Sequence, residues 1–161
     1  MIAVTPAEPS HVQAIAALAE EMDRFYGASE TEPLDLRIRQ INSAIFADPP
    51  AAYVLLAWDG GQLAGFASYS FLWPAAGLTR SMYLKELYVA KAARGKGIGT
   101  LLMRSLYETA AEHDCSRLEW TTERDNRDAR GFYAHLGAPV NESKLFYRLE
   151  GETLPRRPAP H

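Results

Sequence analysis

Leu87-Tyr88-Val89-Ala90-Lys91-Ala92-Ala93-Arg94-Gly95-Lys96-Gly97-Ile98-Gly99-Thr100 decides how the rest of this chain reads. An apolar, β-branched and aromatic run, the pattern of a strand, ends in a basic, glycine-rich turn. The turn leads into Ile98, Leu101, Leu102, Ser105 and Leu106, spaced as on a helix. A helix N-terminus carries free N–H groups and the positive end of the macrodipole. Glycines there let a phosphate approach the backbone, so the stretch reads as an anion site. Arg94 and Lys96 oppose the helix dipole, which argues for an anionic partner. The plainer alternative is a strand–helix turn with two solvated cations.

The chain as a whole bounds the answer. Its 161 residues suit one domain with a full core, expected over residues 1–150. A net charge of −3 argues against a strongly basic nucleic-acid binder. The single cysteine, Cys115, excludes an internal disulfide and suits a reducing compartment. No apolar run approaches the roughly 20 residues of a membrane helix. Met1 to Ser10 has no basic or apolar leader pattern, so a cytoplasmic protein without membrane partners is expected. Residues 151–161 are proline-rich and expected to be loose.

Periodicity and punctuation predict the elements. Ile2 to Thr5 reads as a strand. Pro9-Ser10 opens a helix, with Ser10 as cap and Gln13 at the capping-box position. Val12, Ile15, Ala16, Ala19, Met22 and Phe25 or Tyr26 form its apolar stripe, and Gly27 ends it. Leu34 to Phe46 is a second helix, stopped by Asp48-Pro49-Pro50. Tyr53 to Trp58 and Leu63 to Leu72 are strands joined at Asp59-Gly60-Gly61. Met82 to Val89 is a strand, Lys96 to about Glu112 a helix, and Arg117 to Thr122 a strand. Asp128 to Leu136 is a helix and Lys144 to Leu149 a last strand.

Three phosphate motifs compete for the opening stretch. A Walker loop, G-x-x-x-x-G-K-[ST], is not spelled. The dinucleotide pattern G-x-G-x-x-G fits poorly, because Gly95, Gly97 and Gly99 alternate. The third is Arg-x-x-Gly-x-Gly, spelled by Arg94, Gly97 and Gly99. A later segment, Asn126-Arg127-Asp128-Ala129-Arg130-Gly131-Phe132-Tyr133-Ala134-His135-Leu136-Gly137-Ala138, pairs an Asn with a small residue, an aromatic–Tyr pair and a helix-ending glycine. In this order the two segments resemble the GNAT family of N-acetyltransferases over roughly residues 50–149. The resemblance implies an α/β fold with a mixed, mostly antiparallel sheet. That sheet is splayed at the acyl-CoA site and flanked by about four helices. It implies acetyl-CoA as cosubstrate and no metal.

The resemblance also implies roles. Backbone at Gly95, Gly97, Ile98 and Gly99 receives the diphosphate, with charge from Arg94 and Lys96 and a hydroxyl from Thr100. The pantetheine arm lies along Leu87, Tyr88 and Val89, on a bulged strand. A backbone N–H near Tyr88 or Val89 then faces the thioester oxygen, a donor worth about 3 kcal/mol. Asn126, Ala129 and Phe132 belong to the cofactor side. Tyr133 protonates the leaving thiolate, as a phenol of pKa roughly 10 can. Residue by residue, Asn126 also reads as a turn former and Tyr133 as a core aromatic beside Phe132.

Met82-Tyr83-Leu84-Lys85-Glu86-Leu87-Tyr88-Val89 resembles the same strand of the spermidine/spermine N-acetyltransferase branch. Aligned on Val89, the branch's catalytic Glu falls on Lys85 and its following acid on Glu86. Strand neighbours face opposite sides, so Glu86 replaces that base only if a bulge shifts the register. Glu86 is nevertheless the first candidate base, with an ion-pair or orienting carboxylate as its other reading. Tyr83 and Glu119 are reserves.

Glu20, Glu21, Asp23, Glu30, Glu32 and Asp35 crowd the region that forms the family's acceptor wall, beside Tyr26. Glu21, Tyr26, Tyr83, Lys85 and Glu119 are therefore the candidate acceptor-binding residues. Such acids would attract a polyamine, a lysine-like amine or an aminoglycoside, or they form only a solvated face. The expected activity is acetyl-CoA-dependent N-acetylation of a small cationic amine. A CoA-binding module without chemistry and a protein N-acetyltransferase are the alternatives. Homodimers are common in the branch; Phe25, Tyr26 and the loop Phe71-Leu72-Trp73-Pro74 could stack on an ammonium or form a dimer contact, and the sequence does not choose. His11, His135 and His161 lack metal-ligand spacing.

Overall fold

The computed structural model describes residues 1–154; the expected loose stretch from Pro155 onward lies outside the described residues. Gly151–Thr153, at the start of that tail, forms a short 3-10 turn. The chain divides into two compact units, residues 1–121 and the residues from 122 onward.

The first unit contains β1 (Ile2–Pro6), α1 (Val12–Phe25), α2 (Leu34–Ile45), β2 (Tyr53–Asp59), β3 (Gln62–Leu72), β4 (Arg80–Val89), α3 (Ile98–Glu112) and β5 (Cys115–Glu119). The strands form one sheet in the order β1-β2-β3-β4-β5. Every pairing is antiparallel except β4 with β5, which is parallel. With α4 (Arg127–His135) of the second unit, four α-helices accompany this mixed, mostly antiparallel sheet among the described residues.

Each face of the sheet is closed by a helix. Val54, Leu56, Phe66 and Tyr88 share one face and pack with Ile15 and Leu18 of α1. On the other face α3 buries Ile98, Leu102, Met103 and Leu106. At Gly65 of β3 the sheet and α3 approach closely. A Cβ there would stand 3.0 Å from the Tyr88 carbonyl oxygen, 3.1 Å from Ile98 Cγ2 and 3.3 Å from Leu102 Cδ1. The bare backbone lets the first turn of α3 rest on the sheet beside the end of β4.

Local details depart from the expected ones. The lead into α1 is a 3-10 turn, Pro9–His11, in which the Glu8 N–H donates to His11 Nδ1 at 3.0 Å; Ser10 is not the cap. The chain turns at Asp114 with φ +54°, so β5 starts at Cys115 and ends at Glu119, earlier than its apolar pattern suggests. Arg37 of α2 is the buried charge of this unit. Its Nη1 donates to Asp23 and Glu32, each at 3.3 Å, and its Nη2 donates to the Ala16 carbonyl at 3.1 Å. No helix among the described residues is long and apolar enough to cross a membrane.

In the second unit Asn126 caps α4, its Oδ1 accepting from the Ala129 N–H at 3.1 Å. Gly137, at φ +80°, closes the helix, with the Ala138 N–H donating to the Tyr133 carbonyl at 3.1 Å. The expected strand at 144–149 is absent. Leu145, Phe146, Tyr147 and Leu149 are exposed on backbone with no ladder partner among the described residues. Strand-forming side chains alone do not make a strand, because a strand is stable only when paired and packed.

Candidate active site

The second half of β4 is built differently from the first. Tyr69 pairs with Leu84, but Ser68 pairs with Glu86, so Lys85 is an extra residue opposite β3. Such a bulge flips the alternation of side chains. Leu84 and Met82 lie opposite Tyr69 and Phe71; beyond the bulge Glu86 shares the face of Tyr88, Phe66 and α1. Lys85 is left exposed, while Glu86 is half-buried. Burial raises the Glu86 pKa above the usual carboxylate range; Lys85 works against the shift and Asp23 adds to it. Tyr26, in turn, has its pKa raised by burial and then by Glu86. A register shift, the condition on which Glu86 depends as a candidate, is present, and it puts Glu86 on the face that packs with α1.

The sheet also opens here. Pairing between β4 and β5 stops at Tyr83 with Glu119, yet β4 continues to Val89. Leu84 to Val89 keeps a ladder on the β3 side alone. The bulge occurs at Lys85, whereas an oxyanion donor is expected at Tyr88 or Val89. Tyr83 and Glu119, the reserve residues, face each other where the pairing ends, and Glu119 Oε1 accepts from Ser81 Oγ at 3.1 Å.

The glycine loop follows at once. The Ala90 N–H donates to the Ala64 carbonyl at 2.8 Å, Lys91–Ala93 makes a 3-10 turn, and Gly97 caps α3. Gly95 and Gly97 have φ of +81° and +77°, which other residues rarely adopt, and an added Cβ would meet nothing within 4 Å at either. α3 therefore begins at Ile98, two residues later than its pattern suggests. The hydrogen bond from the Leu101 N–H to the Gly97 carbonyl, 3.1 Å, opens the helical ladder. The amides of Ile98, Gly99 and Thr100 precede it and are the donors that a helix start leaves for a ligand. Open space, positive-φ glycines and free helix-start amides fit the diphosphate of an acyl-CoA.

The cations of the loop are already engaged. Arg94 Nε donates to the Val89 carbonyl at 3.2 Å, and its guanidinium lies 4.5 Å from the Phe25 ring and 5.5 Å from that of Tyr88. Lys96 Nζ pairs with Asp59 at 2.7 Å, holding the Asp59 carboxyl below the usual carboxylate range. Neither is a free charge, which leaves the backbone amides as the open donors of the loop.

Of the six acids expected to form a cationic-amine wall, five have partners. Glu20 pairs with Arg24 at 3.1 Å, Asp23 and Glu32 share Arg37, and Asp35 faces Arg39 at 3.8 Å. Glu21 Oε2 accepts from the Tyr88 hydroxyl at 2.6 Å and the Lys91 N–H at 3.1 Å. The structure thus groups Glu21, Tyr26, Glu86, Tyr88 and Arg94 around the end of α1. Arg37 and Asp59 were not expected as partners of charged groups here, and Phe25 was expected as an apolar-stripe residue rather than as the partner of Arg94. Phe25 and Glu21 are one turn apart, a spacing legible in the chain, but the surface they meet is not. In the second unit Tyr133 and Phe132 are half-buried neighbours with ring centroids 5.3 Å apart, and Ala129 is bonded to Asn126. Phe132 does not fill a core, as no residue of α4 is buried. Among the described residues no group of three or more His, Cys, Asp or Glu is arranged to hold a metal.

A splayed β4, a glycine loop and the start of α3 define an acyl-CoA fold, and the chain belongs to the acetyltransferase (GNAT) family, whose model matches residues 15–138. It is 32% identical over 99 residues to thialysine N-ε-acetyltransferase of Mus musculus, covering 60% of this chain and 58% of that one. The chain thus spans just under three fifths of the length of the thialysine enzymes it matches. The integron cassette protein VCH_CASS6 from the mobile metagenome of V. cholerae is similar in structure, with a TM-score of 0.88 and 32% identity, covering 94% of each chain. The aminoglycoside N-acetyltransferase AAC(6')-Iy, in complex with CoA, shares the fold, with a TM-score of 0.74 and 18% identity over 92% of this chain and 94% of that one.

Proposed function

We propose that this chain is an acetyl-CoA-dependent N-acetyltransferase acting on a primary amine of a small cationic molecule. A polyamine, a diamine, an amino-acid-like amine or an aminoglycoside fits. Transfer is direct, in a ternary complex. The bulge at Lys85 carries the reading: it turns a half-buried carboxylate, Glu86, toward α1 just where β4 leaves β5 and runs into the glycine loop. Family membership and the thialysine relatives support it.

Acetyl-CoA supplies an activated acyl group as a thioester. The amides from Gly95 to Thr100 hold its diphosphate, and Leu87 to Val89 offer a strand edge to its pantetheine arm. A backbone N–H on that edge stabilises the oxygen on which negative charge develops. Glu86 accepts the proton of the ammonium directly or through water. An alkylammonium of pKa near 10 gives it up reluctantly, and burial makes Glu86 a stronger base than an exposed carboxylate. The amine nitrogen forms the new C–N bond and the C–S bond breaks; Tyr133, assigned by its motif, gives its proton to the departing sulfur and is reprotonated by the second proton that the nitrogen sheds, carried through water. Tyr26 lines the acceptor side, and Asn126 serves the cofactor arm. In this reading the protein works in the cytoplasm, where Cys115 stays reduced.

Incubation with acetyl-CoA and a panel of amines, read by free thiol release, tests the proposal. Amine-dependent thiol release with a mass gain of one acetyl group on the acceptor is expected. CoA binding without transfer to any amine would leave a binding module instead.

A further inference from the structure

We propose that Glu21 is a positioning residue for the cofactor loop, holding the end of β4 and the start of the loop in register from α1. The inference rests on the reading of Ala90–Thr100 as the coenzyme A loop. Its basis is one carboxylate oxygen with two donors: Glu21 Oε2 accepts from the Tyr88 hydroxyl at 2.6 Å and from the Lys91 N–H at 3.1 Å.

These two donors lie on either side of the point where the chain stops being a strand. The Ala90 N–H still reaches across to Ala64 of β3, and Lys91 opens a 3-10 turn. The Lys91 amide stands at that junction, and an acceptor from another element satisfies it. Tyr88 is 3% exposed, so its hydroxyl must find a partner inside the protein. Burial and the Glu21 carboxylate push the Tyr88 pKa up to about 12, so the phenol keeps its proton and donates.

The helix holds the loop a second time. Phe25 is one turn beyond Glu21 on α1, on the same face, and its ring lies 4.5 Å from the Arg94 guanidinium. Arg94 is itself tied to the Val89 carbonyl. Glu21 and Phe25 therefore grip the segment from Tyr88 to Arg94 at both ends, and the glycines beyond it inherit that placement. A carboxylate with one oxygen committed to these donors is set to shape the loop rather than to bind an acceptor ammonium. Glu21 thus acts on the cofactor through the backbone, without touching it.

The test is a CoA titration by calorimetry, paired with steady-state kinetics for acetyl-CoA and one acceptor diamine. Glu21→Ala is expected to weaken CoA binding about tenfold and to raise KM for acetyl-CoA by a similar factor. The kcat at saturating acetyl-CoA and the acceptor KM are expected to change less than about twofold. Glu21→Gln, which keeps an acceptor oxygen, is expected to recover part of the affinity and guards against a folding defect. Tyr88→Phe should weaken CoA binding by about threefold, and adding it to Glu21→Ala should cost nothing further. An unchanged CoA affinity in both Glu21 variants, or a rise confined to the acceptor KM, would overturn the inference. Gly97→Val separates the two levels. If wild type binds CoA and Gly97→Val does not, while Glu21→Ala binds like wild type, this inference alone falls. If wild type fails to bind CoA, the reading beneath it falls too.

Discussion

Within one strand, β4, two segments have opposite designs. From Ser81 to Tyr83 the strand is paired on both sides, with β3 and with β5, and without a register shift. From Glu86 to Val89 it is paired with β3 alone, and its faces are exchanged by the extra residue Lys85. The first half is scaffold: Met82 is fully buried and Ser81 is bonded to Glu119. The second half offers a strand edge, a carboxylate and a glycine loop. One inserted residue exchanges the faces of the strand, and it does so without changing the type of any neighbouring side chain.

The largest effect is expected from deleting Lys85. The deletion restores regular pairing and moves either Glu86 or Leu84 to the wrong face, so acetyl transfer should fall by about 10³-fold. Thiol release measures it, and circular dichroism reports whether the sheet survives. Activity retained within a few fold would mean that the bulge is incidental. Next, Tyr133→Phe should lower kcat by about 10²-fold while the CoA dissociation constant stays within about twofold. Equal losses in both would make Tyr133 a binding residue.

Glu86→Gln should lower kcat/KM by roughly tenfold near neutral pH, a smaller loss because water offers a second proton path. The sign of its pH dependence follows from the upward shift. Wild-type activity falls as pH drops through the raised Glu86 pKa, and that acid limb should vanish in the variant. Stability moves the other way. A carboxyl whose folded pKa is raised by burial destabilises the fold once pH exceeds its unfolded value. Glu86→Gln should therefore raise Tm at pH 7 and leave it unchanged near pH 3, as thermal melts would show. The smallest effect is expected for Lys96→Met. Because Lys96 is paired with Asp59, losing it should change CoA affinity by less than about threefold. A loss of tenfold or more would mean that Lys96 leaves Asp59 for the diphosphate.

The same comparison explains what could be read from the chain. The glycine turn and its flanking strand and helix were legible because each depends on residues a few positions apart; Asn126 read as a turn former or a cofactor contact, and the structure makes it the cap of α4. The bulge was legible only as a condition: Lys85-Glu86 required a shifted register for Glu86 to serve, and no side chain announces an unpaired residue. The acids from Glu20 to Asp35 read as a negative wall or a solvated face because their partners lie outside that run or across a turn of chain. Arg37 and Arg39 come from α2, and Tyr88 and Lys91 come from β4 and the loop. The strand expected at 144–149 failed for a related reason. Its pattern states a preference, and a ladder needs a neighbour that the pattern does not name.

Amide hydrogen exchange along β4, with and without CoA, bears most directly on the division of this strand into scaffold and site. CoA should slow exchange at Leu87 to Val89 and at Gly97 to Thr100, with Arg80 to Tyr83 unchanged. Equal protection of both halves, or protection confined to other elements, would contradict it.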